Sequence, residues 1–248
     1  MSGWIAGVDG CRAGWIVARR ELDATSRIDI EIHRSFAALL DRKDPPDIIA
    51  VDMPIGLPDR IGEGGRGPEK EIRRFLGRRK SSVFSIPSRS AVCTQDYPAA
   101  CLIAAETSDP SRKFAKQAFN LFPKIREIDA LLRASPKGLD PPWRERVFEA
   151  HPELAFWRLN GEKELSHAKK ARNGGRWIGR QERVAILEAA GIPSDVLERA
   201  PPRGAAADDL LDALALVMIA RRILEGQATS FPDPPGRDAF GLPIAIWA

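Results

Sequence analysis

The sequence predicts an α/β protein, and three observations support that prediction. Short apolar runs near the N-terminus have the length of strands, a continuous apolar run follows the proline pair at 45–46, and later segments repeat apolar residues at helical spacing. The predicted order at the start is β-β-β-α-β, followed by a mostly helical stretch and a fifth strand. We expect one domain over residues 1–248 that carries a loop and helical insertion over residues 54–145.

The sequence pattern in the first part of the chain predicts four strands and one short helix. Ile28, Ile30 and Ile32 alternate with polar residues, which is typical of a strand with one wetter face. The run "DIIAVD" is apolar without alternation, which is typical of a strand covered on both faces. The predicted strands cover residues 4–8, 14–19, 28–33 and 47–52, and the helix covers residues 36–40.

The second part of the chain predicts mainly helices. Glycines and prolines from residue 53 to 66 indicate a loop, and Pro68 is a favourable first residue for a helix. The segment "RVFEAHPE" predicts a fifth strand that ends near Glu149, and a proline-rich tail with a short apolar end closes the chain. The predicted helices cover residues 68–76, 98–106, 112–133, 177–190 and 205–224, with shorter ones after Pro152 and Pro193.

Composition narrows the classes of protein that fit this chain. With 248 residues and 44% hydrophobic composition, it is long enough to bury a core. No apolar run approaches the ~20 residues of a membrane helix and the N-terminus lacks the layout of a signal peptide, so we expect a cytoplasmic protein without a membrane partner. Three cysteines without metal-type spacing predict neither a disulfide framework nor a zinc site. The net charge of +4 is compatible with an anionic partner.

Two aspartates follow apolar runs that predict strands. Asp9 ends the first run, and Asp52 ends the run "DIIAVD". The carboxyl ends of parallel strands form an edge at which ligands bind, because side chains there leave the core while the backbone holds them firmly. Turn capping is the alternative role for each residue, since Asp readily caps a turn before glycine.

Further aspartates begin the last predicted helix. At 100° per residue, Asp209 and Asp212 fall on the same face as Leu216 and Ile219, so the two carboxylates extend the stripe that faces the core. Asp208 lies at the edge of that stripe and has helix capping as its alternative role. We therefore expect Asp209 and Asp212 to point toward the site formed by the strand ends.

Four carboxylates gathered at one edge of a sheet would repel one another unless a cation lay among them. Hard oxygen donors without a His or Cys cluster indicate Mg²⁺ or Mn²⁺ rather than zinc. Two such ions held ~3.5–4 Å apart support cleavage of a phosphodiester bond. The sequence therefore predicts a catalytic metal site formed by Asp9, Asp52, Asp209 and Asp212.

Five ordered motifs carry a resemblance to a known family. They are "GVDGCRAGWIVA", "VDMPIGLP", "LGRRKSSVF", "EAHPELAF" and "DDLLDALAL". The chain resembles the ribonuclease H-like superfamily, most closely its RuvC-type resolvase branch, and more closely still the family called domain of unknown function 429, described as predicted nucleases. The resemblance implies a mixed five-stranded sheet of order 3-2-1-4-5 flanked by helices, with a mostly helical insertion between strands 4 and 5. It also implies that the four aspartates take the metal-ligand positions of the superfamily.

One feature departs from many ribonucleases H, which carry a glutamate on the first helix. Here the segment "SFAALLDRK" offers only Asp41, at its end. The resolvase branch does not require that glutamate. The departure therefore weakens a role on RNA–DNA hybrids more than it weakens a role as a nuclease.

Other residues are accessory candidates around the predicted metal site. His151 is suited to a role as general base or proton shuttle, with a satisfied turn histidine as its alternative. Glu153 has the ordinary role of an acid at a helix N-terminus as its alternative. Glu149 is a candidate acid behind the metal ligands, and Asp208 is a fourth accessory candidate. The basic residues predicted to bind phosphate, for which a solvated helix face is the common alternative, are Arg73, Arg78, Arg79, Lys80, Arg89 and Lys124.

Three functions fit these residues. The first, and the one we expect, is a nuclease that depends on Mg²⁺ or Mn²⁺ and binds nucleic acid of unknown type. The second is a non-catalytic nucleic-acid-binding module of the same fold. The third is an ATP-binding protein of the actin-like or sugar-kinase type, which the short chain and the lack of a second phosphate-binding hairpin in the sequence disfavour. Oligomeric state is left open by the sequence.

Overall fold

A computed structural model describes residues 3–22, 27–134 and 142–248 of the chain. The strands of its main sheet are β1 (Trp4–Cys11), β2 (Gly14–Glu21), β3 (Ile28–His33), β4 (Ile48–Val51) and β5 (Val147–Glu149). Their order across the sheet is β3-β2-β1-β4-β5, as the resemblance implies. The pairs β1–β2 and β2–β3 are antiparallel, whereas β4 is parallel to both β1 and β5. The carboxyl ends of β1, β4 and β5 therefore lie at one edge of the sheet.

Helices cover both faces of this sheet. They are α1 (Phe36–Leu40), α2 (Gly67–Ile72), α3 (Arg89–Cys93), α4 (Tyr97–Glu106), α5 (Lys116–Phe119), α6 (Phe122–Arg133), α7 (Pro152–Leu159), α8 (Ile178–Ala189), α9 (Ser194–Leu197) and α10 (Ala207–Leu224). The predicted helical segment between the fourth and fifth strands corresponds to α2 through α6. In the described parts of the chain, no helix is both long and apolar enough to cross a membrane.

Three of the predicted strands and helices begin or end at different residues in the structure. β1 continues to Cys11, three residues beyond the predicted end, because it forms a tight hairpin with β2 in which Cys11 pairs with Gly14. The predicted helix over 112–133 is two helices, α5 and α6, because Pro123 has no amide hydrogen to continue a helix and instead lies in the first turn of α6. The predicted helix over 68–76 ends at Ile72, and a 3₁₀ turn at 77–82 follows it.

The C-terminal tail is a β-hairpin that the sequence did not predict. It consists of β6 (Ser230–Arg237) and β7 (Pro243–Trp247), which pair antiparallel and form a separate two-stranded sheet. Pro232, Pro234 and Pro235 are tolerated in β6 because they lie in the irregular stretch between Phe231 and Gly236, where the pairing with β7 is interrupted. Trp247 also bridges to Ala150 just beyond β5. Because of its prolines the tail was predicted to be irregular, whereas it forms a strand pair that lies beside the main sheet.

Hydrophobic residues on the two faces of the sheet form two cores. Ile5, Ile16 and Ala50 face α7, α8 and α10, whereas Val8 and Val51 face α1 and α6. The alternation along each strand assigns successive residues to opposite faces. On the first of these faces α10 lies directly against the middle strands β1 and β4, so residues of α10 lie close to the ends of those strands.

Gly7 allows that close approach between α10 and β1. A Cβ atom at Gly7 would lie 2.1 Å from the Ala213 carbonyl oxygen and 2.1 Å from the Val217 nitrogen. Any side chain larger than hydrogen would therefore push the helix off the strand. The glycine therefore fixes how closely the part of α10 from Ala213 to Val217 approaches the sheet.

Candidate active site at the carboxyl edge of the sheet

Asp9 and Asp52 lie beside each other on neighbouring parallel strands. Val8 of β1 pairs with Val51 of β4, and the Asp52 amide donates to the Val8 carbonyl oxygen over 2.9 Å. Residues beside each other in a parallel pair point to the same face of the sheet, and so do residues two apart on one strand. Asp9 therefore points to the face of Gly7, on which α10 packs, and Asp52 points the same way.

Asp212 reaches the same place from α10. Its side chain is buried, and the next residue in the helix, Ala213, is one of those that lie against Gly7 of β1. The charge of Asp212 raises the pKa values of both Asp9 and Asp52. The close contact at Gly7 thus places a third carboxylate within electrostatic range of the two strand-end aspartates.

These three residues, Asp9, Asp52 and Asp212, form what we call the acid cluster. Burial, followed by the charges of Asp52 and Asp212, raises the pKa of Asp9 well above 3.8. Burial and then Asp212 raise the pKa of Asp52 to about 7, although Asp52 is partly exposed where it lines two cavities. Burial raises the pKa of Asp212 to about 6, against a lowering effect of Lys169. Unbalanced negative charge of this kind favours binding of a cation.

Lys169 supplies one cation to the acid cluster from within the chain. Its ammonium group donates to Asp212 Oδ2, while Asp212 Oδ1 is buried without a hydrogen-bond partner. Burial opposes the charge of Lys169, but Asp212 and Asp9 outweigh it and raise the pKa of the lysine, which stays protonated. Lys169 lies in the segment between α7 and α8, and no motif distinguishes it in the sequence from its neighbour Lys170.

Asp209 and Asp208 have different positions from those predicted. Asp209 is half-buried and accepts a hydrogen bond from the Ala206 amide over 2.8 Å, so it caps α10 instead of extending the core-facing stripe. At the third helical position its side chain reaches back to an amide that the helix leaves free, which outweighs the position on the helical wheel. Its charge makes a smaller contribution to the raised pKa of Asp9. Asp208, an accessory candidate with helix capping as its alternative role, lines a separate cavity that also includes Trp177.

The acid cluster has donors of the type that Mg²⁺ and Mn²⁺ prefer. All are carboxylate oxygens, and Asp212 Oδ1 is free to accept. Within residues 3–22, 27–134 and 142–248, however, no three His, Cys, Asp or Glu side chains are gathered closely enough to hold an ion. The oxygen atoms of the acid cluster are therefore of the kind that bind a hard cation. In this structure they are too far apart to bind one together, and Lys169 neutralises Asp212 instead.

Two cavities meet at the acid cluster. The apolar cavity, of about 190 Å³, is walled by Met53, Pro54, Val83, Phe84, Ile86 and Leu121, with Asp9, Asp52 and Glu69 among its polar lining. The basic cavity, of about 400 Å³, is lined by Arg79, Lys169, Lys170, Ser81, Asp52 and Asp212, among others. Asp52, Ser82 and His151 line both cavities. The carboxylates therefore lie between an apolar space and a positively charged one.

A second group of buried charges lies next to the acid cluster, and we call it the paired cluster (Arg66, Glu69 and Glu149). Arg66 donates to Glu69 Oε1 and to Glu149 Oε1, each over 2.6 Å, and to the carbonyl oxygens of Ile55 and Gly56. Glu149 also accepts from the Ile55 amide over 2.7 Å. Burial lowers the pKa of Arg66, but both glutamates outweigh it and raise that pKa above the ordinary value. Glu149 thus anchors the loop after β4, directly behind Asp52.

His151 and Glu153 lie at the start of α7. Burial and then Lys169 lower the pKa of His151 to about 4, so its ring is neutral near pH 7. A hydrogen bond to the Ser82 backbone holds the ring, and Nδ1 has no partner. Glu153 accepts from Arg183 over 2.7 Å and lies in the first turn of α7, which is the ordinary structural role.

The basic residues predicted to bind phosphate occupy different positions. Arg73 donates to the Gly64 and Val83 carbonyl oxygens, and Arg89 pairs with Asp129 and Asp238, so both are engaged in internal contacts. Arg79 lines the basic cavity, whereas Arg78 and Lys80 are exposed outside its lining. Lys124 lines the apolar cavity, donates to the Gly14 carbonyl oxygen and lies 4.2 Å from the Trp15 ring centroid. Only some of the basic run therefore faces the acid cluster.

Sequence reasoning missed two parts of the site. Arg66 lies in the loop rich in glycine and proline, where no periodic pattern indicates that a side chain turns inward. Phe84, in the segment after the 3₁₀ turn, is 38% exposed and forms a wall of the apolar cavity. An exposed aromatic residue in a loop close to a basic run was the one available signal for that wall.

Comparison with known proteins gives one match. A family model described as a protein of unknown function, DUF429, matches residues 7–237. No curated protein matches. No solved structure matches either. The matched region covers nearly the whole chain, including the acid cluster, both cavities and the strands that position them, and the chain accordingly belongs to the DUF429 family.

Proposed function

We propose that this protein is a divalent-metal-dependent nuclease that cleaves phosphodiester bonds at the acid cluster. One observation carries the proposal: carboxylates from β1, β4 and α10 meet at one edge of the sheet, where burial raises the pKa of all three and the charge of Asp212 adds to the rise at Asp9 and Asp52. Such a cluster costs stability unless a cation neutralises it. Asp9, Asp52 and Asp212 are the residues that would hold Mg²⁺ or Mn²⁺, with Asp209 close to Asp9.

The neighbouring residues suit a phosphodiester substrate. When bound at such a site, a pair of divalent ions activates a water molecule and stabilises the leaving oxygen. Arg79, Lys169 and Lys170 line the basic cavity and would bind phosphate groups there. The neutral ring of His151 carries an unpartnered Nδ1 that can accept a hydrogen bond from a water molecule beside the cluster.

A non-catalytic nucleic-acid-binding module is the second candidate, and a specific observation favours it. Lys169 already neutralises Asp212, and within the described ranges no three candidate ligands are gathered closely enough to hold an ion. In that case the acid cluster and Lys169 would serve the fold, while the basic cavity would bind phosphates without turnover. Metal binding separates the two candidates.

The test is Mn²⁺ binding by titration calorimetry, followed by a cleavage screen with single- and double-stranded DNA and RNA. The proposal expects wild type to bind Mn²⁺, Asp9→Asn and Asp52→Asn to lose binding, and cleavage to be lost in the same variants. Asp208→Asn is the matched control, because Asp208 lies in the same chain segment but outside the cluster. If wild type neither binds Mn²⁺, with or without an oligonucleotide, nor cleaves any substrate, the nuclease proposal is wrong.

A further inference from the structure

The apolar cavity has the size and lining of a pocket for one flat ring system. Its volume of about 190 Å³ is below the ~300–1,000 Å³ typical of pockets for drug-sized ligands. Met53, Val83 and Ile86 are buried in its walls, and Phe84 is 38% exposed at its side. An aromatic side chain beside an apolar slot is the arrangement on which nucleobases stack.

The polar groups of this cavity suit a nucleobase better than a hydrocarbon. Glu69 lines the cavity, is 2% exposed, and has one carboxylate oxygen, Oε2, without a hydrogen-bond partner. Its other oxygen is already bound by Arg66. A buried acceptor left unpaired is unfavourable. This oxygen is itself shielded from solvent, so an N–H group on an inserted ring would satisfy it after a small shift of the Glu69 side chain toward the cavity. A nucleobase can supply this donor, because it carries amino or imino N–H groups that can point toward Glu69.

The two cavities and the acid cluster between them match the parts of a nucleotide, with an apolar space for the base and a positively charged space for phosphates. The apolar cavity lies on one side of Asp52, and the basic cavity, with Arg79, Lys169 and Lys170, lies on the other. Asp52, Ser82 and His151 belong to both linings. Arg79 Nε in the basic cavity is also buried without a partner. A base in the first cavity would leave its phosphate at the acid cluster and the adjoining phosphates in the second.

We propose that the apolar cavity is a subsite for a single nucleobase, and that the substrate therefore presents an unstacked nucleotide beside the bond that is cleaved. A base inside an intact duplex is paired and stacked, so it cannot enter such a pocket without being flipped out. Single strands, loops, ends and mismatched positions are the forms of nucleic acid that supply it. The position of the cleaved bond rests on the proposed function, whereas binding of the base does not.

Met53 provides a direct reporter for this binding. The chain has three methionines, and Met53 lines the apolar cavity whereas Met218 is buried in α10, outside that lining. Protein labelled with ¹³C on the methionine methyl groups would be titrated by NMR with each nucleoside 5′-monophosphate, in the presence of a chelator so that the phosphate cannot bind through a metal ion. Ribose 5-phosphate is the control, because it keeps the sugar and phosphate but lacks the ring. Each compound would be taken to about 10 mM, enough to saturate a site with a Kd of ~1 mM.

We expect the Met53 methyl signal to move with nucleotides and not with ribose 5-phosphate, while the Met218 signal stays in place. Replacing Phe84 by Ala should weaken nucleotide binding by about 5- to 100-fold, since a stacked base contributes that much. Phe84→Tyr keeps the ring and should bind nearly as wild type. Phe240→Ala is the matched control, because Phe240 is an exposed phenylalanine that packs against Arg89 and Arg133 instead of lining the cavity.

Two outcomes would overturn the base subsite: a Met53 signal that stays in place with every nucleotide, or one that moves equally with ribose 5-phosphate. Because the measurement needs neither metal nor turnover, its result is independent of the nuclease proposal. Base binding without Mn²⁺ binding or cleavage would leave a nucleotide-binding pocket and remove the nuclease. Metal-dependent cleavage with an unresponsive Met53 would keep the nuclease and remove the subsite.

Discussion

The paired cluster and the acid cluster are two buried groups of charge that lie side by side but are balanced differently. In the paired cluster, one fully buried guanidinium binds two carboxylates and two carbonyl oxygens. In the acid cluster, the ammonium group of Lys169 donates to Asp212, and Lys124 lies within electrostatic range of Asp9. The charge of Glu149 still raises the pKa of Asp52, so the two clusters are coupled. Both carboxylates of the first cluster are thus joined to a cation by direct hydrogen bonds that support the fold, although burial still raises the pKa of Glu149 to about 7, whereas in the described part of the chain no ion pair joins Asp9 or Asp52 to a cation.

The largest expected effect follows from breaking the paired cluster. Replacing Arg66 by Met keeps much of the volume but leaves two buried glutamates without a cation, which should reduce the free energy of unfolding by about 3–5 kcal/mol. Urea denaturation at pH 7 measures this loss. Arg74→Ala is the control, since Arg74 is exposed and its replacement should change stability by less than about 0.5 kcal/mol. Equal stability of the two variants would contradict a structural role for Arg66.

Removing a charge from the acid cluster should stabilise the protein, whereas removing the charge of Arg66 should destabilise it. The folded-state pKa of Asp52, about 7, lies above its ordinary value of 3.8, so the native protein holds this proton more tightly than the unfolded chain. The resulting stability is fully present below about pH 4 and is lost as pH rises through about 7. In the metal-free protein at pH 8, Asp52→Asn should therefore raise the free energy of unfolding, by up to about 4 kcal/mol at 1.36 kcal/mol per pKa unit.

Denaturation at pH 4 and pH 8 with a chelator present tests the sign. The gain in Asp52→Asn should nearly vanish at pH 4, where wild-type Asp52 is itself neutral. Mn²⁺ should then stabilise wild type at pH 8 and leave the variant unchanged, because only wild type keeps the third carboxylate. A variant that is less stable than wild type at pH 8 would show that Asp52 belongs with the structural charges.

The strand-end half of the acid cluster could be predicted from the sequence, because its causes are local. Asp9 and Asp52 each end an apolar run, and parallel strands bring such ends to one edge of a sheet. Asp212 also followed from helical spacing. Asp209 did not, because a free amide at Ala206 captures its side chain, and the spacing of residues on a wheel contains no information about that competition.

The residues that neutralise or surround the acid cluster could not be predicted. Lys169, Arg66 and Phe84 lie in loops, where no periodic pattern indicates which side chain turns inward. The hairpin of β6 and β7 was hidden for a related reason, since its prolines indicate a loop, whereas in the structure those of β6 lie where the pairing of the two strands is irregular. Local patterns thus predicted the strands and the acids that follow them, and the resemblance implied their order in the sheet, while long-range packing decided the cavities.

A smaller effect is expected from removing the cation of the acid cluster. Lys169→Met takes away the positive charge that competes with a divalent ion for Asp212, so Mn²⁺ affinity should rise, by about tenfold or ~1.4 kcal/mol. Calorimetry at constant ionic strength measures the change, with Lys170→Met as the control. Unchanged or weaker Mn²⁺ binding would indicate that Lys169 is a fixed structural partner, like Arg66 in the paired cluster.

The smallest effect concerns the phosphates that the basic cavity would bind. Arg79 lines that cavity and Arg78 does not, although the two are neighbours with equal charge. For a single-stranded oligonucleotide, Arg79→Ala should reduce the slope of log affinity against log salt by ~0.7, the value for one phosphate contact, and weaken binding a few-fold. Arg78→Ala should leave both nearly unchanged. Equal losses in the two variants would mean that the nucleic acid senses only the general positive field of this surface, and that the basic cavity does not guide it past the acid cluster.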